Sequence, residues 1–188
     1  MRIKNTGFLV VILIFGIMLL AFYWTSVNRQ GTTHTVTTYV LTTGESPSYE
    51  ICFSPEGDCE ARILYWIRKA NHSVHVMVYT LTLDRVGDAL IDAHKRGIDV
   101  KVILDRYNEE EGSEYDRLVQ AGVPVRLHQG SGLMHNKVAI IDGSIAITGS
   151  YNWTGSAENE NDENLPVIKS AEISNTYEEE FDRIWSTS

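Results

Sequence analysis

Apolar residues fall into two patterns along this 188-residue chain. The first is one unbroken, uncharged run from Gly7 to Trp24. As a helix rising 1.5 Å per residue it would span about 27 Å, close to the hydrocarbon thickness of a bilayer. Arg2 and Lys4 precede it, and Tyr23 and Trp24 close it as interfacial aromatics do. The positive-inside bias then leaves residues 1–6 as a cytoplasmic tip and everything beyond Thr25 on the extracytoplasmic side. The rival is a secretory signal peptide, whose apolar stretch is usually shorter and is followed by a small-x-small cleavage site. No convincing site of that kind follows, so residues 7–24 read as an uncleaved single-pass anchor, with secretion after cleavage as the alternative. Residues 25–48 are rich in Thr, Ser and Gly, lack a helical period and read as a tether. Within them Thr35–Thr42 alternates well enough for an edge strand.

The second pattern begins at Tyr49 and switches repeatedly between periods of two and of 3.6 residues. Strands are expected at Tyr49–Phe53, Val74–Tyr79, Val100–Leu104, Val123–Leu127 and Leu165–Ile168. Helices are expected at Glu60–Ala70, with Ile63, Leu64 and Ile67 on one face; at Asp84–Arg96, with Val86, Ala89, Leu90 and Ala93 on one face; and at Ser113–Ala121. Gly97 and Gly122 stand where helices of this kind stop. Met134–Ile141 and Ser144–Thr148 read as two strands joined at Asp142-Gly143, a strong hairpin signal. A last helix carries Ile173, Tyr177, Phe181, Ile184 and Trp185 on one stripe. Alternating strands and helices followed by a hairpin predict an α/β domain over 49–188, a mixed sheet sandwiched between helices. No internal repeat is visible.

Composition adds a constraint on partners. At 43% apolar and 22% charged, the chain is neither disordered nor collagen-like. Sixteen Lys and Arg face twenty-five Asp and Glu, a net charge of −9. Leaving out Arg2 and Lys4, fourteen cations face twenty-five acids, a net of −11. A basic, polymer-coating protein is excluded, and any polyanionic substrate must be held by a local cationic site against the overall field. Two cysteines, Cys52 and Cys59, cannot build a disulfide scaffold or a four-cysteine zinc site. In an oxidising compartment they could form one short-loop disulfide; otherwise they are buried thiols.

The candidate chemistry lies between His135 and Glu163. His135, Lys137 and Asp142 stand as His-x-Lys-x4-Asp, followed by Gly149-Ser150-x-Asn152. A lone His-x-Lys means nothing, but the six positions together should arise by chance in roughly a few chains per million of this length. On a strand, residues two apart share a face, so His135 pairs with Lys137, and Ser150 pairs with Asn152 at the end of the partner strand. The hairpin brings the two pairs together. An imidazole, an ammonium, a hydroxyl and an amide then converge, a set suited to a phosphodiester: Lys137 as point charge, Ser150 and Asn152 as substrate-holding donors, His135 as nucleophile or proton carrier. Asp142 falls on the opposite parity and reads as a turn-fixing group behind the site.

These residues resemble the phospholipase D superfamily, whose signature is this His-Lys-Asp motif followed by Gly-Ser-x-Asn. The resemblance runs from about Cys52 to Ile168. Phe53-Ser54-Pro55-Glu56-Gly57, Asp92-Ala93-His94-Lys95-Arg96-Gly97 and Met134-His135-Asn136-Lys137 look like its short, single-motif nuclease-type branch. Glu163-Asn164 matches that branch's Glu-Asn. The resemblance implies catalytic roles for His135, Lys137, Asn152 and Glu163, with Glu163 orienting and polarising the histidine. It also implies a covalent phosphohistidine, no metal and no cofactor. Because the chemistry uses two histidines and this chain carries one motif, the resemblance implies a homodimer sharing one active site. Two functions follow: an anchored, non-specific nuclease on DNA or RNA, or a phospholipase D of the cardiolipin-hydrolase type acting on the membrane that holds residues 7–24. An apolar rim, from Leu133, Met134 and Trp153, would favour lipid; a long basic groove would favour nucleic acid.

The remaining candidates are read as structural. His75 is a core or face residue, His94 a cation at a helix C-terminus and His128 a residue before the Gly130-Ser131-Gly132 loop that could rim the site. Lys95, Arg96 and Lys101 read as solvated charges. Asn71-His-Ser and Asn152-Trp-Thr are glycosylation sequons, the second overlapping the motif.

Overall fold

The structure, a computed structural model, describes residues 46–109 and 112–188. The apolar run 7–24, the strand expected over 35–42 and nearly all of the tether lie outside the described residues. No helix among the described residues is long and apolar enough to cross a membrane.

Seven strands form one mixed sheet in the order β1-β7-β6-β5-β2-β3-β4. They are β1 (Ser48–Ser54), β2 (Ser73–Val78), β3 (Asp99–Asp105), β4 (Val125–His128), β5 (Lys137–Ile141), β6 (Ile145–Ile147) and β7 (Glu163–Lys169). β2, β3 and β4 run parallel; every other pairing is antiparallel. The helices are α1 (Cys59–Lys69), α2 (Asp84–Lys95), α3 (Tyr115–Gln120), α4 (Gly155–Asn159) and α5 (Ala171–Thr187), with a 3₁₀ turn at Arg106–Glu109.

Strand parity divides the core. Val74, Val76 and Val78 of β2, with Val100, Val102 and Leu104 of β3, meet Ile63, Leu64 and Ile67 of α1 and Val86 and Leu90 of α2. The alternate residues Met77, Ile103, Val138 and Ile140 pack on Phe181 and Ile184 of α5. Central strands buried on both faces explain the β-branched runs in β2, β3 and β5. His75 sits on the α5 face, stacked on Phe181 with centroids 4.9 Å apart and bonded to Glu178. It ties the last helix to the sheet, the structural role read for it.

Differences from the sequence reading sit at element ends. The strand expected from Met134 starts only at Lys137, because Met134 N–H donates to the buried Asp105 carboxylate (2.8 Å) and not to a neighbouring strand. The expected strand Ser144–Thr148 shrinks to Ile145–Ile147, so Ser150 and Asn152 follow the partner strand and do not end it. The helix expected over Ser113–Ala121 is Tyr115–Gln120, since Glu114 N–H is taken by Leu81 C=O. β1 claims Ser48, assigned to the tether. The 3₁₀ turn and α4 are too short to carry a readable period. Cys52 and Cys59 are joined as a disulfide, Cα atoms 5.7 Å apart, tying β1 to the start of α1.

The β5–β6 hairpin turns at Asp142 (φ 52°) and Gly143 (φ 60°), both left-handed as a type I′ turn requires. The Asp142 carboxylate accepts hydrogen bonds from the backbone N–H groups of Asn71 (3.0 Å), His72 (2.8 Å) and Ser73 (2.9 Å). It thereby pins the hairpin to the start of β2. Burial alone would push this carboxyl up; the N–H donors, led by Ser73, outweigh it and hold the carboxyl below its ordinary value. A depressed folded-state value stabilises the fold above the unfolded value, and that contribution is lost as pH falls through the folded one. Asp142→Asn, which keeps a residue tolerant of this φ, should cost about 1–3 kcal/mol at pH 7. Urea denaturation should show the gap to wild type closing at the acid end, once the carboxyl is protonated in both states.

Candidate active site

The site forms where β2 and β5 end together. Val78 pairs with Lys137, and one residue further Tyr79 N–H donates to Asn136 C=O at 2.8 Å. His135 therefore leaves the sheet edge beside Tyr79, their ring centroids 4.6 Å apart, and its side chain is exposed. Lys137 is only 8% exposed. Its Nζ donates to His135 C=O at 2.8 Å and stands 5.2 Å from the centre of the Tyr79 ring. Burial pulls the Lys137 ammonium below its ordinary value, and the negative charge of Glu163 opposes that shift. The second half of the motif arrives from β6. Ser150 is exposed and Asn152 half-buried, while Tyr151 and Trp153 between and after them are fully buried. Trp153 N–H donates to Thr80 C=O (3.1 Å) and Trp153 C=O accepts from Thr82 N–H (2.9 Å), which brings Asn152 to the end of β2. The Asn152 Oδ1 is buried without a partner.

Glu163 opens β7 opposite Ser54. Its carboxylate accepts from the Ser150 hydroxyl and, at 3.4 Å, from the Asn161 amide. No hydrogen bond joins Glu163 to His135 of the same chain among the described residues; its carboxylate is held by Ser150 and Asn161. The Ser150 Oγ in turn accepts from Asn164 N–H and Nδ2, both at 3.2 Å. His135, Lys137, Ser150 and Glu163 are thus linked around one edge: His135 through Tyr79 to Lys137, Lys137 through charge to Glu163, Glu163 to Ser150; Asn152 reaches the same edge through the backbone bonds of Trp153. Asp142 lies five residues along β5, about 17 Å away at the strand's rise, and takes no part.

Three contributors were not read from sequence. Tyr79 is visible only through the β2–β5 register. Asp105, fully buried, holds Met134 and Tyr107 N–H groups and so aims the segment bearing His135. Asn108 clamps the chain after Tyr79, donating to Tyr79 C=O (2.5 Å) and accepting from Leu81 N–H (3.1 Å). The apolar rim is corrected: Met134 and Trp153 are 2% and 0% exposed, drawn inward by Asp105 and by the Thr80–Thr82 bonds, and only Leu133 is open to solvent. His128 ends β4 opposite Asp105 with its Nδ1 unpartnered. Among the described residues no three or more His, Cys, Asp or Glu side chains are grouped as a metal site.

A mixed sheet covered by helices, with this motif at the β2–β5 end, defines a phospholipase D-like domain. Residues 63–185 match the family described as "Cardiolipin synthase, PLD-like domain", and the chain belongs to that family. The mitochondrial cardiolipin hydrolase of Xenopus tropicalis is 38% identical over 126 residues, 66% of this chain and 60% of that protein. A phospholipase D of Rickettsia bellii is 39% identical over 127 residues, 67% of this chain and 63% of that protein. The chain thus spans about six-tenths of the length of these relatives. Among solved structures, the phospholipase D family member Nuc from Salmonella typhimurium superposes with a TM-score of 0.71 at 32% identity, covering 76% of this chain and 96% of that one.

Gly149 explains the glycine of the motif. Its φ is +128°, and a Cβ there would sit 2.1 Å from Asn164 C=O. Gly149→Ala should lower stability by at least about 1–3 kcal/mol, read by thermal or urea denaturation, and should displace Ser150 from Glu163. An alanine variant of wild-type stability would contradict this packing.

Proposed function

We propose that this protein is a metal-independent phosphodiesterase acting through a covalent phosphohistidine, with nucleic acid as substrate. The observation that carries the reading is the gathering of an exposed His135 and Ser150, a half-buried Asn152 and a buried Lys137, its Nζ bonded to the His135 carbonyl, at the end of β2 and β5. In the first step the His135 imidazole attacks phosphorus and the bond to the leaving oxygen breaks, that oxygen taking a proton from a second imidazolium. In the second step the now neutral second imidazole deprotonates water, the oxygen attacks phosphorus, and the phosphorus–nitrogen bond breaks to restore His135. Lys137, Ser150 and Asn152 hold the non-bridging oxygens. A pair of imidazoles can share one proton near neutral pH.

One chain supplies one such histidine, so the second comes from a twofold partner: His135 of the partner subunit. An uncovered apolar face supports this reading. Tyr49, Ile51 and Phe53 are 71%, 49% and 63% exposed. By register they lie beside Ile168, Pro166 and Asn164, on the sheet face that α5 covers further along. Phe53 thus stands next to the Glu163-Asn164 end of the site, where a second copy would bring its own motif.

Burial of Met134 and Trp153 withdraws two of the three residues expected to form an apolar rim around the motif, which favours a polar phosphodiester. The names of the cardiolipin hydrolase and phospholipase D relatives favour the second reading, release of a phospholipid headgroup at the membrane that residues 7–24 would span. In either case residues 49–188 would work on the extracytoplasmic side.

The test is a side-by-side turnover assay of the full chain in detergent with EDTA present, offering single-stranded DNA, RNA, and phosphatidylcholine or cardiolipin vesicles. Cleavage of nucleic acid that disappears in His135→Ala is expected, with strong salt dependence; headgroup release with inert nucleic acid would replace this reading by the lipid one. Wild-type and His135→Ala chains, dissociated and remixed one to one, should retain about a quarter of the wild-type activity, since only wild-type pairs hold both histidines. Retention of about half would mean that each chain works alone.

A further inference from the structure

We propose that Tyr79 is a positioning residue whose ring face stabilises the cationic forms of His135 and Lys137 together. The inference rests on the reading of His135 and Lys137 as the reacting and charge-bearing groups. Three observations carry it. The Tyr79 ring lies against the imidazole, centroids 4.6 Å apart and planes inclined by 49°. The Lys137 ammonium stands 5.2 Å from the centre of the same ring, within the range over which an aromatic quadrupole attracts a cation. The Tyr79 backbone is clamped on both sides, its N–H by Asn136 C=O at 2.8 Å and its C=O by the buried Asn108 amide at 2.5 Å. The phenolic hydroxyl makes no hydrogen bond among the described residues. What Tyr79 offers the site is therefore its ring, held in place by backbone bonds.

The other charged groups around this pair have different tasks. Glu163, from β7, supports the Lys137 charge but is hydrogen-bonded to Ser150 and Asn161. Asp105, from β3, is occupied by the N–H groups of Met134 and Tyr107. The His135 ring itself makes no hydrogen bond to a carboxylate among the described residues. The ring of Tyr79 lies against both the His135 imidazole and the Lys137 ammonium. In a mechanism where one imidazole of a symmetric pair carries the proton and Lys137 faces a phosphoryl group, a shared π face favours the protonated imidazole and the ammonium, while the attacking imidazole must still lose its proton.

The experiment uses the full chain in detergent with isotopically labelled histidine. The His135 resonance is assigned by its loss in His135→Ala, and its titration midpoint is followed by NMR. Four proteins are compared: wild type, Tyr79→Phe, Tyr79→Leu, and a chain with trifluorophenylalanine at position 79. Tyr79→Phe keeps the quadrupole and should leave the midpoint unchanged. Tyr79→Leu and the fluorinated ring should lower it by about half a unit to one unit, because the imidazolium loses its stabilisation. Both limbs of the kcat/KM pH profile should move to lower pH in the same two proteins. If Tyr79→Leu does not fold, the fluorinated ring, close in size to the native one, decides. Equal His135 midpoints in the folded variants would overturn the inference. The midpoint is read without turnover, so a protein inactive on every phosphodiester would defeat the proposed function while still leaving this inference to be judged on its own.

Discussion

β5 enters the sheet antiparallel to β2, at the boundary between the parallel half and the antiparallel half, and the site is built on that one pairing. Because Val78 meets Lys137, the first residue of β5 is forced beside the last of β2. His135 and Tyr79 then overhang the same edge. β6 follows from a two-residue turn, and its continuation is tied by Trp153 to Thr80 and Thr82. The candidate site residues therefore come from positions up to 28 apart, yet all gather at the ends of β5, β6 and β7 beside the end of β2. Movement of β5 by a single register step would turn Lys137 to the other face and take the site apart. Asp142 guards against that step from the far end, binding three N–H groups at the start of β2.

The electrostatics of the site are local and oppose those of the chain as a whole. A net charge of −9 gives no long-range attraction for a phosphodiester. Lys137 instead acts at close range, partly desolvated, with the opposing charge of Glu163 and the ring of Tyr79 nearby. A buried ammonium interacts with a phosphoryl group more strongly than a solvated one, since less water screens it. The same acid-rich surface would make productive encounters depend on ionic strength, whichever phosphodiester is bound.

The exposed strip Tyr49, Ile51 and Phe53 is what an edge strand with one covered face looks like when α5 stops short of it. Its even-numbered neighbours turn inward, where Cys52 reaches Cys59 and Ser54 holds Asn161 C=O at 3.1 Å. That inner side braces the segment leading into Glu163. The outer side and the site's edge are continuous, so an oligomeric contact there would act directly on the residues around Glu163 and Asn164.

Much of this was legible in the chain itself. Residues two apart on strands and at helical spacing in α1, α2 and α5 report burial against a sheet, and Asp142-Gly143 reports a turn whose φ values few other pairs accept. The motif marked His135, Lys137, Ser150 and Asn152 as candidates, although His135 precedes β5 and Ser150 and Asn152 follow β6. Partners distant in sequence were not legible. Nothing near Tyr79 or Asp105 announces that one will flank an imidazole and the other will aim the segment that bears it, because both roles arise from strand register and from hydrogen bonds across 29 and more residues. The same cause moved the start of β5 from Met134 to Lys137 and drew Met134 and Trp153 inward from the rim. By itself the sequence determined the α/β alternation, the hairpin and which residues are candidates for the site, since those depend on local periodicity and residue chemistry. Only the tertiary structure decided which neighbours surround those groups, for that is a matter of which strands lie side by side.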